Sequence, residues 1–309
     1  MTTIYADFNA LTEDHSISMT TLGSRQDLGN FDVRLGDWVW LSDGEMQVGA
    51  QIIEDDRHEL VAVPEWDTAV DFHFGEVDLD YLTRTYKEFQ RLIKLTNGRS
   101  PDVERKILEL AFQFERAAPP EILNFGAGIY AFRRAMALYH LGKYELALIE
   151  IESALASRPD APNFSFLFLD LLRRTNPPRA VVEAERLAST PDAAVAILAA
   201  AINILASHAE DLPDEGFVPI ARRTLEFCEL FERSPQRGQT SVSLLSLIHF
   251  NRGMILLRLG QTESAHAALE FAHALDPINL TLDEATRLVA YDQRAREVAA
   301  RVREKPLAA

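Results

Sequence analysis

The chain is predicted to be a two-part α+β protein. A small antiparallel β-barrel or curled sheet is expected over residues 1–76, and an all-α superhelical solenoid over 77–309. Three features of the 309 residues carry this expectation. The first is charge: residues 1–80 hold 18 Asp and Glu against only Arg25, Arg34 and Arg57, so nearly all of the formal charge of −16 sits there. The second is composition. Trp38, Trp40 and Trp66, all the tryptophans, lie in that segment, together with one of the 14 prolines, Pro64. The third is a change of hydrophobic period, from two before Pro64 to between three and four after residue 77.

The strands follow in order. Thr3–Phe8 and Ser16–Met19 are short strand candidates. From Asp37 the chain runs DWVWLSDGEMQVGAQII, and Asp43-Gly44 is a hairpin turn, because a type I′ turn wants positive φ at both central residues. Beyond it Met46, Val48, Ala50 and Ile52 alternate with Gln47, Gly49 and Gln51, the signature of a half-buried strand. Leu60–Val63 reads as a further strand, stopped by Pro64 because proline cannot donate to a ladder. Tyr5-Ala6-Asp7-Phe8-Asn9, Leu22-Gly23 and Val61-Ala62-Val63 make this segment similar to small, stand-alone β-rich bacterial proteins of unknown function, a resemblance that implies no activity.

Helices follow. Leu82, Tyr86, Phe89 and Ile93 mark one amphipathic face; Arg84, Lys87, Arg91 and Lys94 form a basic stripe that is either solvated or docks on the acidic segment. Asn97-Gly98 ends this helix and Ser100-Pro101 opens the next. Further on, two stretches match at an offset of 118 residues. Ala135, Leu138, Gly142, Ala147, Ile151, Ala154 and Pro159 pair with Gly253, Leu256, Gly260, Ala265, Leu269, Ala272 and Pro277. The small residues let antiparallel helices approach closely. Gly142 and Gly260 fall where the first helix turns back, a left-handed position, and Pro159 and Pro277 end the second helix.

These stretches, GIYAFRRAMALYHLGKYELALIEIESALASRPD from Gly128 and the segment from Ser246 through Asp276-Pro277, resemble the 34-residue consensus of the tetratricopeptide repeat family. Between them, Phe164–Arg174 with Arg179–Ala188, and Ala193–His208 with Phe217–Phe231, keep the hairpin rhythm as degenerate middle repeats. The second of these encloses the acidic loop Ala209–Gly216. Leu282–Val302 reads as a polar-faced capping helix.

The resemblance implies a binding groove lined by first helices: Phe132, Arg133, Met136, Tyr139 and His140 in one repeat, Phe250, Asn251, Met254 and Arg258 in the other. It does not extend to the carboxylate clamp of some members. The clamp Asn would fall at Met136 or Met254 and a clamp Lys at Ile129 or Leu247, so an internal partner segment is expected rather than a C-terminus.

Other function classes recede. No run of about 18 apolar residues exists, the longest candidate being Ala193–Ala206, so no membrane association is expected. The N-terminus lacks the basic and apolar regions of a secretion signal, and Cys228 stands alone, which points to the cytoplasm. An acidic field repels nucleic acid. No nucleophile elbow, phosphate loop or metal-ligand pair occurs; Gly126-Ala127-Gly128 lacks a third glycine and a preceding strand. The acids Asp7, Asp32, Asp37, Asp43, Asp55 and Asp56 lack calcium-loop spacing. The expectation is a non-catalytic adaptor or scaffold without cofactor or metal, whose partner is another protein, with self-association left open. The alternative is an acidic inhibitor or immunity-type protein that covers a basic partner with its N-terminal segment.

Overall fold

This computed structural model describes residues 3–6, 8, 16–19, 24, 27–28, 30–31, 33–43, 46–56, 59–71, 79–93, 100–117 and 128–275. Its contacts divide the chain into two compact units, Met1–Leu171 and Leu172–Ala309. The compositional break near residue 76 lies inside the first unit.

The first unit opens with a five-stranded curled sheet: β1 Thr3–Tyr5, β2 Ile17–Ser18, β3 Trp38–Ser42, β4 Met46–Glu54 and β5 Leu60–Asp71, in the order β1-β3-β4-β5-β2. The β3–β4 hairpin closes over Asp43, whose carboxylate accepts from the Met46 amide at 2.8 Å. β4 is not half-buried as its alternation predicts, since Gln47 and Gly49 on its other face are buried too. Val39, Leu41, Val48, Ala50 and Ile52 enter one buried cluster with Ile4, Ile17, Met19 and Ala62.

Two further expectations need correction. The sheet is not wholly antiparallel, since β1 pairs with β3 in parallel, Ile4 opposite Leu41. A parallel pair needs a crossover of a dozen or more residues. The stretch from Ala6 to Asp37 supplies one, and β2 within it pairs at the opposite edge of the sheet. Nor does Pro64 stop β5, which continues to Asp71 with Pro64 opposite Ala50. The Leu60 carbonyl accepts from Met19, on the β2 side. Backbone groups two and four residues on point the same way, so the N–H that Pro64 lacks is not missed by the β4 ladder. Beyond it the pairing jumps between Gln47 and Gly49. There Thr68 Oγ1 accepts from Gly49 N at 2.9 Å and donates to Glu65 O at 2.7 Å, replacing the interrupted ladder.

Five helices follow: α1 Leu79–Ile93, α2 Pro101–Ala117, α3 Ile129–His140, α4 Tyr144–Ser157 and α5 Pro162–Thr175. Rings join the first three. Phe114 stacks on Tyr130 at 4.9 Å between centroids and lies 5.6 Å from Tyr86, while Phe89 is 6.2 Å from Tyr130. Of the basic stripe on α1, Arg91 pairs with Glu88 of its own helix at 2.8 Å. Among the described residues, Lys143, just before α4, meets the acidic segment. It lies 2.5 Å from Glu65 and 3.1 Å from Asp67.

The second unit contains α6 Pro177–Ala188, α7 Val195–Glu210, α8 Asp214–Arg233, α9 Val242–Arg258 and α10 Thr262–Leu275. Asn176 opens α6 by accepting from the Arg179 amide, ahead of the two prolines that begin it. Helix α7 is the apolar stretch singled out in the sequence. It is buried on nearly every side, as a helix apolar all round must be. The proposed capping helix over 282–302 and Pro277 lie outside the described residues. No helix among the described residues is long and apolar enough to cross a membrane.

Candidate functional site

The hairpins α3–α4 and α9–α10 are built by the same local chemistry. Gly142 and Gly260 follow the first helix of each with φ of 78° and 77°. At the first turn the Gly142 amide donates to Tyr139 O and the Lys143 amide to Leu138 O. At the second, Gly260 donates to Leu257 O and Gln261 to Leu256 O. This pair of bonds satisfies carbonyls that a helix end otherwise leaves without partners. Ala135, Ala147, Ala154, Ala265 and Ala272 are all buried, and Pro159 is exposed just beyond α4. A Cβ on Gly253 would come within 2.5 Å of Leu269 Cγ, so the missing side chain sets the distance between α9 and α10.

On α3 the anticipated groove residues are half-buried, except His140, which is exposed. Phe132 stacks on Phe164 of α5, centroids 4.7 Å apart and planes at 23°, and the Arg133 guanidinium lies 5.6 Å from the Phe132 ring. Tyr139 meets His140 and Tyr144 edge-on, each at 5.6 Å. Met136 is half-buried on the same helix. This face is an aromatic ledge whose rings are already partnered.

On α9 the arrangement is concave. Asn251, Met254 and Arg258, spaced by three and four, share one helix face. They line a recess with Ile255 of the same helix, Ala206 and Glu210 of α7, and Phe217 of α8. Asn251 is buried and its Nδ2 donates to Asn203 Oδ1 at 3.3 Å. The Arg258 guanidinium lies 4.0 Å from the Phe217 ring centroid and donates to Ala209 O at 2.6 Å and Leu212 O at 2.5 Å. It therefore closes the C-terminus of α7, which favours a cation, and forms a fixed wall. Phe250, half-buried, is not among the lining residues. The residues the sequence did not single out are Ala206, Glu210, Phe217 and Ile255. Ala206 and Phe217 flank the acidic loop Ala209–Gly216 and Glu210 lies within it, and that position was their signal.

Nothing in the sequence hints at a buried polar network in the first unit. The Trp40 indole N–H donates to Glu150 Oε1 at 2.8 Å, and Arg134 Nε donates to Glu150 Oε2 at 2.8 Å. Arg134 also pairs with Glu115, and its guanidinium sits 4.5 Å from the Phe112 ring. Burial by itself would lower the Arg134 pKa, but the two carboxylates outweigh it and hold the group above its usual range. On the same face of the sheet, a Cβ at Gly49 would meet the Cδ methyls of Leu146 of α4, so a larger residue there would force that side chain to shift.

Among the remaining titratable groups, His249 Nε2 lies 3.2 Å from Glu232 Oε1. Burial pushes the Cys228 thiol up to about 12 and lowers His249 below the ordinary histidine value. Among the described residues no three His, Cys, Asp or Glu converge to hold a metal ion.

No family model matches the chain, and no curated protein matches it. Among solved structures, the MamA RS-1 ArsTM double mutant is similar over 66% of this chain and 97% of that one, with 15% identity and a TM-score of 0.44.

Proposed function

We propose that the chain is a non-catalytic protein–protein interaction module of tetratricopeptide-like hairpins, which takes a peptide or helix segment of a partner on its first-helix faces. One observation carries this reading: Asn251, Met254 and Arg258, marked by repeat position alone, meet at one recess. Its apolar walls come from Ala206, Phe217 and Ile255, and its polar groups are held rigid by bonds of their own. The recess is shallow, about 10 Å³ in volume, so a partner side chain would rest on its apolar floor beside the oriented polar groups rather than enter it. The aromatic ledge on α3 is the second contact region of the same kind.

A random peptide library displayed on phage and selected on the full chain tests this. Binders should weaken about 5- to 150-fold on Met254→Lys, the usual loss when an anchor contact is removed. The reading fails if every binder is indifferent both to Met254→Lys and to Phe132→Ala, with the variants' circular dichroism unchanged.

A further inference from the structure

The recess lies beside a charged rim, and that charge selects the class of partner. The connection from α7 to α8 carries four carboxylates within six residues: Glu210, Asp211, Asp214 and Glu215. All four are exposed. Glu210 lines the recess itself, and Asp214 reaches to 3.4 Å from the Arg258 guanidinium. Arg258 is the only base among the described lining residues, and its N–H groups are directed at the carbonyls of Ala209 and Leu212 rather than outward. The rim is therefore negative around an apolar floor of Ala206, Phe217, Met254 and Ile255.

Resting on the interaction reading above, we infer that the shallow recess seats an apolar side chain on its floor, from a segment carrying Lys or Arg on either side of that anchor: a basic amphipathic peptide or helix. An acidic segment would bring like charge against the rim, which costs affinity. The rim carboxylates are open to solvent, so their attraction acts mainly on encounter and partner choice, and salt weakens it over a Debye length of about 8 Å at physiological ionic strength.

The experiment uses the full chain and peptides from a random phage-displayed library. Selected peptides are resynthesised with a photoreactive group and cross-linked to the wild-type chain, and the attachment sites are read by mass spectrometry. Affinities are then measured for the wild type and for the triple variant Asp211→Asn, Asp214→Asn, Glu215→Gln, which touches only exposed side chains. The expected result is attachment on α7, α8 or α9 around Met254 and enrichment of Lys and Arg within three residues of an apolar anchor. Affinity should fall roughly 5- to 50-fold in the triple variant and in 0.5 M salt. Attachment at the recess by peptides without basic enrichment, by acidic peptides, or with affinity unmoved in the triple variant overturns this inference and leaves the interaction reading standing. Attachment elsewhere only, or cross-linking only between copies of the chain, overturns the recess as a partner site and this inference with it.

Discussion

Arg134 is buried between two carboxylates, and its position explains why the first unit holds a charge inside at all. Its guanidinium bonds Glu150 and Glu115 and covers the face of Phe112; Glu150 in turn accepts from Trp40. A buried ion pair of this kind adds little net stability over an apolar replacement of both partners, but removing one partner strands the other. Arg134→Met should therefore lower stability by about 3–5 kcal/mol, because Glu150 remains buried without its cation. The double change Arg134→Met with Glu150→Leu should recover much of that loss. Urea unfolding of the three proteins measures both effects; a single variant as stable as the wild type would mean that Glu150 is solvated or protonated at no cost. The residues of this network could not be picked out beforehand. Glu150 reads as one more polar position on an amphipathic helix, and its counterpart at the 118-residue offset is Ala268. Burial of its carboxylate depends on a tryptophan 110 residues earlier.

The hairpins depend on two glycines that act by different physics. Gly142 needs its left-handed backbone, φ 78°, while a Cβ added there would meet open space. Gly253 has no positive φ but no room, with Leu269 Cγ at 2.5 Å and the Ala265 carbonyl at 3.3 Å from where its Cβ would stand. Gly142→Ala should cost about 1–2 kcal/mol through strain, and Gly142→Asn less, because Asn tolerates that region. Gly253→Ala should cost about 1–3 kcal/mol through overpacking, and Gly253→Asn more, because the added volume meets the same wall. The opposite order of Ala and Asn at the two sites is the observable, read from thermal denaturation of the four variants. Equal ranking at both positions would show that one mechanism has been misassigned. These turns were readable in advance, since a glycine between two amphipathic stretches states its own requirement. The continuation of β5 past Pro64 was not: proline's missing donor matters only on the side of the strand that faces a partner, and the strand pattern does not say which side that is.

For the chain as a whole, the compositional break at residue 76 and the compact unit ending at Leu171 make different fragments. Residues 77–309 would separate Glu150 from Trp40, Leu146 from the backbone at Gly49, and Lys143 from Glu65 and Asp67. Residues 172–309 would break none of these. Both fragments should be strongly helical by circular dichroism, but the longer one should melt at the lower temperature and bind a dye for exposed apolar surface. A longer fragment that melts cooperatively at or above the temperature of the shorter one would show that the sheet contributes little to the helices beside it. What was legible from residues alone is what short-range chemistry governs: the strand at β4, the hairpin at Asp43, the glycine turns after α3 and α9, and the approach of small residues at matched offsets. Each rests on interactions within a few residues or on one repeating unit. Which face of the sheet meets α4, that β1 runs parallel to β3, and that Arg258 closes α7 while Met254 opens onto a recess were decided only in three dimensions. Those outcomes join residues tens to more than a hundred positions apart, and a sequence read in short windows holds no record of which distant surfaces exclude water together.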